Sequence, residues 1–392
     1  MRNRINIIIT GKFSYPQGMA GTKRVQHFVD YLKSRDMSVA LLLVSRGINE
    51  ILKHQSSGCY KGVSYRKIGS NLKLNFSLLW QMPIFVWDGF RCLAKWKKQY
   101  HKNIFFCYGG PNIENISLIC LANLLGYKIV FDIVEDYSVI DYEVNLLSKI
   151  KISSLIFLEK CLRFLADGLV VISRHLYDKY AKSLKHEDAI KLIPVSAKVE
   201  EIDHKRKFNN PVRIVYSGSF ACKDGVDNLI EAFEDVYQRN NGVVLLMTGK
   251  GADENITRIK QKISGNIAIR YLGYLKDKEF YSFLREADIL CMTRTGTDFA
   301  NAGFPFKLGE YLATGNPVIA SASSDVRYYL ENMKDAVLIE PGVVAEIRNA
   351  IEFLVQEQET AMEIGRSGRE KCRQYFDPEK NGDILMDLLY RV

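Results

Sequence analysis

The chain has 392 residues, and what it lacks narrows it first. No apolar run approaches the roughly 18 residues that a membrane-crossing helix needs. The eight cysteines, at 59, 92, 107, 120, 161, 222, 291 and 372, form no Cys-x-x-Cys pair and no cluster with histidine. That spacing argues against a disulfide scaffold and against a zinc site, and most of the cysteines read as small buried hydrophobes. A Gly-x-Gly-x-x-Gly dinucleotide fingerprint is missing too: Gly11 and Gly18 stand too far apart, and the Gly-Lys-Gly at 249–251 fails likewise. The opening stretch, MRNRINIIITGKF, is basic and then apolar. Its apolar run is too short for a signal peptide and has no small-residue cleavage site. It reads as a first strand, and the chain is expected in the cytosol.

What remains is a globular composition, with 47% hydrophobic and 25% charged residues, in a chain too long for one ordinary core. Two domains are expected, 1–205 and 206–376, with a last helix over about 377–392 packing back on the first. Charge is unevenly spread. Residues 1–205 hold 30 Lys and Arg against 18 Asp and Glu, whereas 206–392 hold 24 against 27. A basic first half points to an anionic partner: nucleic acid, an anionic membrane or a phosphate-bearing substrate; a random surface excess is the plain alternative.

Both halves alternate strand and helix. INIIIT (5–10), SVALLLVS (38–45), NIFFCY (103–108), KIVFDIV (128–134), GLVVIS (168–173) and IKLIPV (190–195) read as strands of a parallel sheet. The polar segment 200–211 reads as a linker. A second series follows: VRIVYSGS (212–219), GVVLLMTG (242–249), AIRYLG (268–273), DILCMT (288–293), PVIAS and AVLIE. Two such domains in tandem predict a cleft, with ligands outside the carboxyl ends of the strands. The stretch from Leu72 to Tyr100 mixes aromatics with Lys and Arg. It fits an interfacial membrane patch or a core helix with a basic outer face.

Three loops can carry chemistry. In YSGSFACKDGVDNLIEAF, Gly218 turns straight off a strand, Ser219 offers a hydroxyl, and Lys223 precedes a helix N-terminus; together they suit a phosphate or diphosphate. The alternative is an ordinary loop with a solvated lysine. In NAGFPFKLGEYLATGNPVIAS, residues 301–305 are expected as a loop and 306–314 as a helix, stopped by Gly315 and Pro317. Amides at Gly303 and Phe304 can cradle an anion. Lys307 and Glu310 share a helix face: the lysine can reach a phosphate, and the carboxylate can accept two vicinal hydroxyls. A surface ion pair is the plain alternative, worth about 0.3 kcal/mol. In TGKFSYPQGMAGTKR, Gly18 and Gly21 precede a helix expected at VQHFVDYLKSR and let a ligand approach the backbone.

These stretches, with LLMTGKG, IRYLGYL and ADILCMTRTG in the same order, resemble the family-4 retaining glycosyltransferases over nearly the whole chain. The resemblance implies a GT-B fold, two Rossmann-like α/β domains facing each other across a cleft. It implies a nucleotide-sugar donor bound chiefly by the second domain. Lys223 would hold the diphosphate, Glu310 the ribose, and Gly303 and Phe304 the donor sugar and phosphate. Gly18 and Gly21 would lie near the diphosphate and sugar. Many members carry a first acid eight residues ahead of the second; here it is Ala302, so that sugar contact is absent. A subset with Phe-Pro-x-Lys before the glutamate also lacks it and has Lys307 as its hallmark. The arginine common in the phosphate loop is Ser219, and Arg294 is a substitute charge. Where members often show a His or an acid, this chain has Glu135 and Asp136, which read either as substrate-facing groups on the cleft floor or as part of a polar loop. Lys223, Lys307, Asp136 and Glu135 are therefore the catalytic candidates.

What this implies is sugar transfer with retention to a glycan or lipid-linked glycan acceptor in envelope polysaccharide synthesis, at or near the inner face of the membrane. The leaving phosphate oxygen would serve as the base. No metal, no cofactor and no nucleic acid partner is expected. The alternatives are a nucleotide-sugar epimerase or hydrolase of the same fold, and a non-catalytic module that binds sugar nucleotide or glycan.

Overall fold

In the computed structural model, the described residues are 4–16, 18–44, 56–69, 78–139, 146–182, 187–199 and 207–392. They form two compact units. The first comprises Met1–Pro194 with Pro378–Val392, and the second Val195–Asp377. The division therefore falls at Pro194, ahead of the 205/206 boundary that polarity alone suggests. The reason is local: Ala197 N–H already donates to the Phe376 carbonyl inside the second unit, at 2.9 Å. Of the expected linker, 200–206 lie outside the described residues.

The first unit holds an eight-stranded sheet. Its strands are β1 (Ile5–Gly11), β2 (Ser38–Val44), β3 (Ser57–Tyr60), β4 (Val63–Ile68), β5 (Lys102–Tyr108), β6 (Lys128–Ile133), β7 (Gly168–Val171) and β8 (Ile190–Leu192), in the order β3-β4-β2-β1-β5-β6-β7-β8. Only β3 runs antiparallel, paired with β4. Every side chain of β1 is buried, which is why INIIIT reads as an unbroken apolar run instead of an alternation. The helix after it spans Ala20–Ser34, five residues earlier than expected, so Gly21 lies within the helix and not in the loop. Val25, Phe28, Val29 and Leu32 bury against the sheet. The helix Pro378–Arg391 joins the same core through Leu385, Leu388 and Leu389.

The second unit holds six parallel strands: β9 (Val212–Gly218), β10 (Val243–Gly249), β11 (Ile269–Tyr271), β12 (Ile289–Met292), β13 (Val318–Ser321) and β14 (Val337–Ile339), in the order β11-β10-β9-β12-β13-β14. The order reverses between β9, β10 and β12, so the loops after β9 and β12 spread apart at a switch point, where α/β sheets receive ligands. Register pairs Gly218 with Gly249 at the carboxyl ends of β9 and β10. Residues 298–302 form a short helix, Asp298–Ala302, where a loop over 301–305 was expected, because the Thr297 hydroxyl caps the Ala300 amide. The eight cysteines are all thiols, but only Cys92, Cys107, Cys291 and Cys372 are buried; Cys59, Cys120 and Cys222 are exposed. Half of them, and not most, are therefore the buried small hydrophobes that composition suggests. No described helix is long and apolar enough to cross a membrane.

Candidate active site

A set of charged and polar groups lies at the carboxyl edge of the second unit's sheet. β9 ends at Gly218, and a side chain there has no room. A Cβ on Gly218 would stand 2.3 Å from the Tyr216 hydroxyl and 2.6 Å from Lys307 Nζ; one on Gly249 would stand 1.9 Å from the Gly218 carbonyl oxygen. The edge is thus backbone only, with an ammonium against it. The chain then turns through Cys222–Asp224 into Gly225, whose φ of 61° favours glycine. Gly225 is also pinned from outside, since an added Cβ would meet the Thr293 carbonyl oxygen at 1.8 Å. From there the helix Val226–Arg239 starts, with its free amides at the turn.

Lys223 and Lys307 take different positions. The Lys223 ammonium sits 4.2 Å from the Phe299 ring centroid. Its carbonyl accepts from the Thr295 amide at 3.0 Å, which ties the turn to the segment after β12. Lys307, on the helix Phe306–Ala313, donates to the Tyr216 hydroxyl at 3.1 Å and to Asp224 Oδ1 at 3.3 Å, and lies 4.3 Å over the Tyr216 ring. Its carboxylate partner is therefore Asp224 and not Glu310, which answers the surface-pair alternative. Asp224 is buried, and its other oxygen accepts from the Ser219 hydroxyl at 2.6 Å. Burial opposes the Asp224 charge, yet Lys307, the Ser219 hydroxyl, Arg294 and Lys223 outweigh it and hold the carboxyl at about 2. Burial pushes the Lys307 ammonium down, and Asp224 pushes it back up. Arg294, buried just past β12, acts electrostatically on both partners, so the structure brings it to this site.

The Phe306–Ala313 helix is fixed to β9 by Tyr311, whose hydroxyl accepts from the Ser217 amide at 2.7 Å and lies 3.3 Å from the Ser217 carbonyl. Glu310, one residue before it, is partly exposed, with the Tyr281 hydroxyl 3.5 Å away. Gly303 ends the short helix before the Pro305 turn. The Phe304 ring is a core group, 5.4 Å from Tyr329 and 5.7 Å from Phe376. The ring anchors this loop in the core, with Phe304 and Pro305 buried and Gly303 partly exposed. Ala302 is buried, 1% exposed, and its side chain is apolar.

In the first unit, Gly18 lies close over Thr22, whose hydroxyl donates to the Ser14 carbonyl at 2.6 Å and holds the glycine loop. Gly21 backs onto Tyr108 at the end of β5, where an added Cβ would stand 2.5 Å from the hydroxyl. Glu135 and Asp136 follow β6. Asp136 is 1% exposed and already engaged: it accepts from Lys179 Nζ at 2.6 Å, the Ser138 hydroxyl at 2.6 Å and the Ser138 amide at 2.9 Å. His175 Nε2 lies 2.9 Å from its other oxygen. Burial opposes its charge, but these hydrogen bonds prevail and hold the carboxyl well below the ordinary range. Asp136, read from the sequence as a substrate-facing group, is thus buried and paired, and the exposed imidazole of His175 lies beside it. A second buried pair, Arg24 with Asp132, joins at 2.8 Å on both oxygens, and Arg24 also donates to the Pro194 and Ile193 carbonyls.

Asp224, Tyr216, His175 and Arg24 were not found by reading the sequence. The Lys-Asp-Gly of 223–225 and the i, i+4 spacing of His175 and Lys179 were the signals present. Among the described residues no group of acids, histidines or cysteines is placed to hold a metal.

Residues 198–371 match the family model for glycosyl transferases group 1. The phosphatidyl-myo-inositol mannosyltransferase of Mycobacterium leprae is 27% identical over 154 residues, 39% of this chain and 39% of that protein. The curated relatives are matched over 39% to 62% of their own length. Sucrose-phosphate synthase from Thermosynechococcus elongatus superposes with a TM-score of 0.74 at 17% identity, over 98% of each chain. Anabaena HepE, solved in complex with UDP-glucose, superposes at 0.70 with 14% identity, over 98% of this chain and 100% of that one. Residues 198–371 are thus similar to glycosyl transferases group 1, in a chain with the GT-B glycosyltransferase fold.

Proposed function

We propose that the protein is a retaining glycosyltransferase that moves a sugar from a nucleoside-diphosphate sugar to a glycan or lipid-linked glycan acceptor in envelope polysaccharide synthesis. The observation that carries this reading is the carboxyl edge of the second sheet. A side-chain-free Gly218–Gly249 edge, the Lys307 ammonium, Lys223, Arg294 and a helix N-terminus meet there, with the Glu310 carboxylate on the same helix as Lys307. Such a set suits a diphosphate: the cations and amides stabilise the charge that builds on the leaving phosphate as the anomeric bond breaks. Glu310 supplies two acceptor oxygens for ribose hydroxyls. The leaving phosphate oxygen takes the acceptor hydroxyl's proton on the same face. Solved neighbours of the same fold bind UDP and UDP-glucose, which supports a nucleotide-sugar donor.

The test is incubation with UDP- and GDP-sugars, with and without glycan and polyprenyl-diphosphate acceptors. Acceptor-dependent release of nucleoside diphosphate, with the anomeric configuration kept, supports the reading. Release without acceptor indicates a hydrolase, an isomerised sugar an epimerase, and binding without turnover a module.

For the acceptor side, a specific surface favours a membrane location. On the helix Leu78–Trp96, Ile84 and Trp87 are 65% and 60% exposed, and Lys95, Lys97 and Lys98 are exposed beyond them. Exposed apolar side chains beside cations fit an anionic bilayer surface. Co-sedimentation with phosphatidylglycerol vesicles should occur at low salt and weaken as salt rises. Absence of binding at low salt removes this part of the reading.

A further inference from the structure

The functional reading above gives Lys307 a phosphate to hold, yet the structure gives it a carboxylate. A buried acid beside an anion site needs a reason, because it repels the ligand. Asp224 lies one residue past Lys223, inside the turn that would cradle the diphosphate, and is 6% exposed. Its two oxygens are divided: Ser219 fixes one at 2.6 Å, and Lys307 approaches the other at 3.3 Å. Lys307 is further aimed by Tyr216, through a hydrogen bond from the ammonium to the hydroxyl and the ring face 4.3 Å beneath it. The ammonium is so close to the end of β9 that a Cβ on Gly218 would stand 2.6 Å from it.

Resting on the donor-site assignment, we infer that Asp224 is a positioning residue: it keeps the Lys307 ammonium charged and aimed at the Gly218 edge, where a nucleoside diphosphate would meet it. A long lysine buried without a counter-ion would discharge or swing to solvent. The ordinary reading of Asp224, a loop acid stabilising its own turn, accounts for the Ser219 bond but not for the approach of a lysine from a helix 83 residues away in sequence.

The charged and titratable groups around Lys307 set the sign of the test. Asp224 and Lys223 come from the turn after β9, Tyr216 from β9, and Arg294 from the end of β12; Glu310 is one turn along its own helix. Burial, Arg294 and Lys223 drive the ammonium toward discharge, and Asp224 opposes them. Asp224→Asn removes that opposition and also removes a negative charge from the anion site. At low pH, where Lys307 is charged in both proteins, the variant therefore binds UDP or GDP as tightly as wild type or more tightly. As pH rises, Lys307 discharges earlier in the variant, and its affinity falls below that of wild type. The two curves cross. A merely structural defect moves them in parallel.

The experiment has two arms on the full chain. The first follows the Lys307 ε-carbon resonance with pH in ligand-free wild type and Asp224→Asn, assigned by its loss in Lys307→Met. The second measures UDP and GDP affinity against pH for wild type, Asp224→Asn, Lys307→Met and the double variant. Expected are a Lys307 titration that moves to lower pH in Asp224→Asn, crossing affinity curves, and a double variant no weaker than Lys307→Met. An unmoved titration, parallel curves or a double-variant loss equal to the two single losses combined overturns the assignment of Asp224. Wild type binding neither nucleotide overturns the donor-site reading instead, and the resonance arm separates the two failures. If Asp224→Asn does not fold, Asp224→Ser, which replaces the carboxylate with a neutral hydroxyl, takes its place in both arms.

Discussion

Two buried carboxylates, Asp136 and Asp224, owe their charge to partners that other elements deliver. Both are held below the ordinary carboxylate range in the folded protein, Asp224 at about 2. A depressed folded value means that the stabilisation is present above the unfolded value, near 3.9, and is lost as pH falls through the folded one. Stability measured by urea unfolding should therefore fall as pH drops from about 4 toward about 2. Asp136→Asn should flatten part of that slope and lower stability at neutral pH by roughly 1–3 kcal/mol. An unchanged slope in the variant contradicts the network around Asp136. At this scale the sequence was only half legible. Lys307 and Glu310 stood out by spacing on a helix face and by resemblance. Asp224 did not, because an acid in a Lys-Asp-Gly turn looks solvated until the segment after β12 closes over it. His175 was hidden for the same reason, since its carboxylate partner comes from the loop after a neighbouring strand.

Elements were far more legible, since most strands of two parallel sheets bury both faces and read as continuous apolar runs. The pieces not found were those whose pattern is weak. The β3–β4 hairpin has an exposed outer strand with no apolar signature, and Asp298–Ala302 is a five-residue helix set by one threonine cap. The last helix shows how tightly elements fit. Gly382 faces Tyr31 on Ala20–Ser34 so closely that an added Cβ would stand 2.1 Å from the ring. The Tyr31 hydroxyl also meets Asp383, and Lys102 reaches the Leu389 and Tyr390 carbonyls. Gly382→Ala should therefore push the helix off its seat and cost about 1–3 kcal/mol, read as a lower melting temperature. A melting temperature equal to wild type would show that the ring yields freely. In the second unit, Gly225→Ala combines a left-handed backbone with a clash against Thr293; it should distort the turn that carries Lys223 and Asp224, and so weaken UDP or GDP affinity more than it lowers stability.

For the whole molecule, length and the two βα series indicated two parallel-sheet units, while the place where the chain changes unit was set by packing at Ala197 that polarity could not reveal. The first unit has its own internal clamp. Arg24 and Asp132 are both almost wholly buried, at 1% and 0% side-chain exposure. Asp132→Asn strands a buried guanidinium and should destabilise by about 3–5 kcal/mol. Unfolding followed by tryptophan fluorescence reports this directly, because all three tryptophans, Trp80, Trp87 and Trp96, lie in the first unit. The second unit carries the donor chemistry in this account, and that claim has one direct measurement: calorimetric titration of UDP and GDP into wild type and Glu310→Gln. The account predicts that wild type binds one of the two and that Glu310→Gln binds it about tenfold more weakly, through loss of a charged acceptor for hydroxyls. Binding of neither nucleotide, or equal affinity in Glu310→Gln, contradicts it.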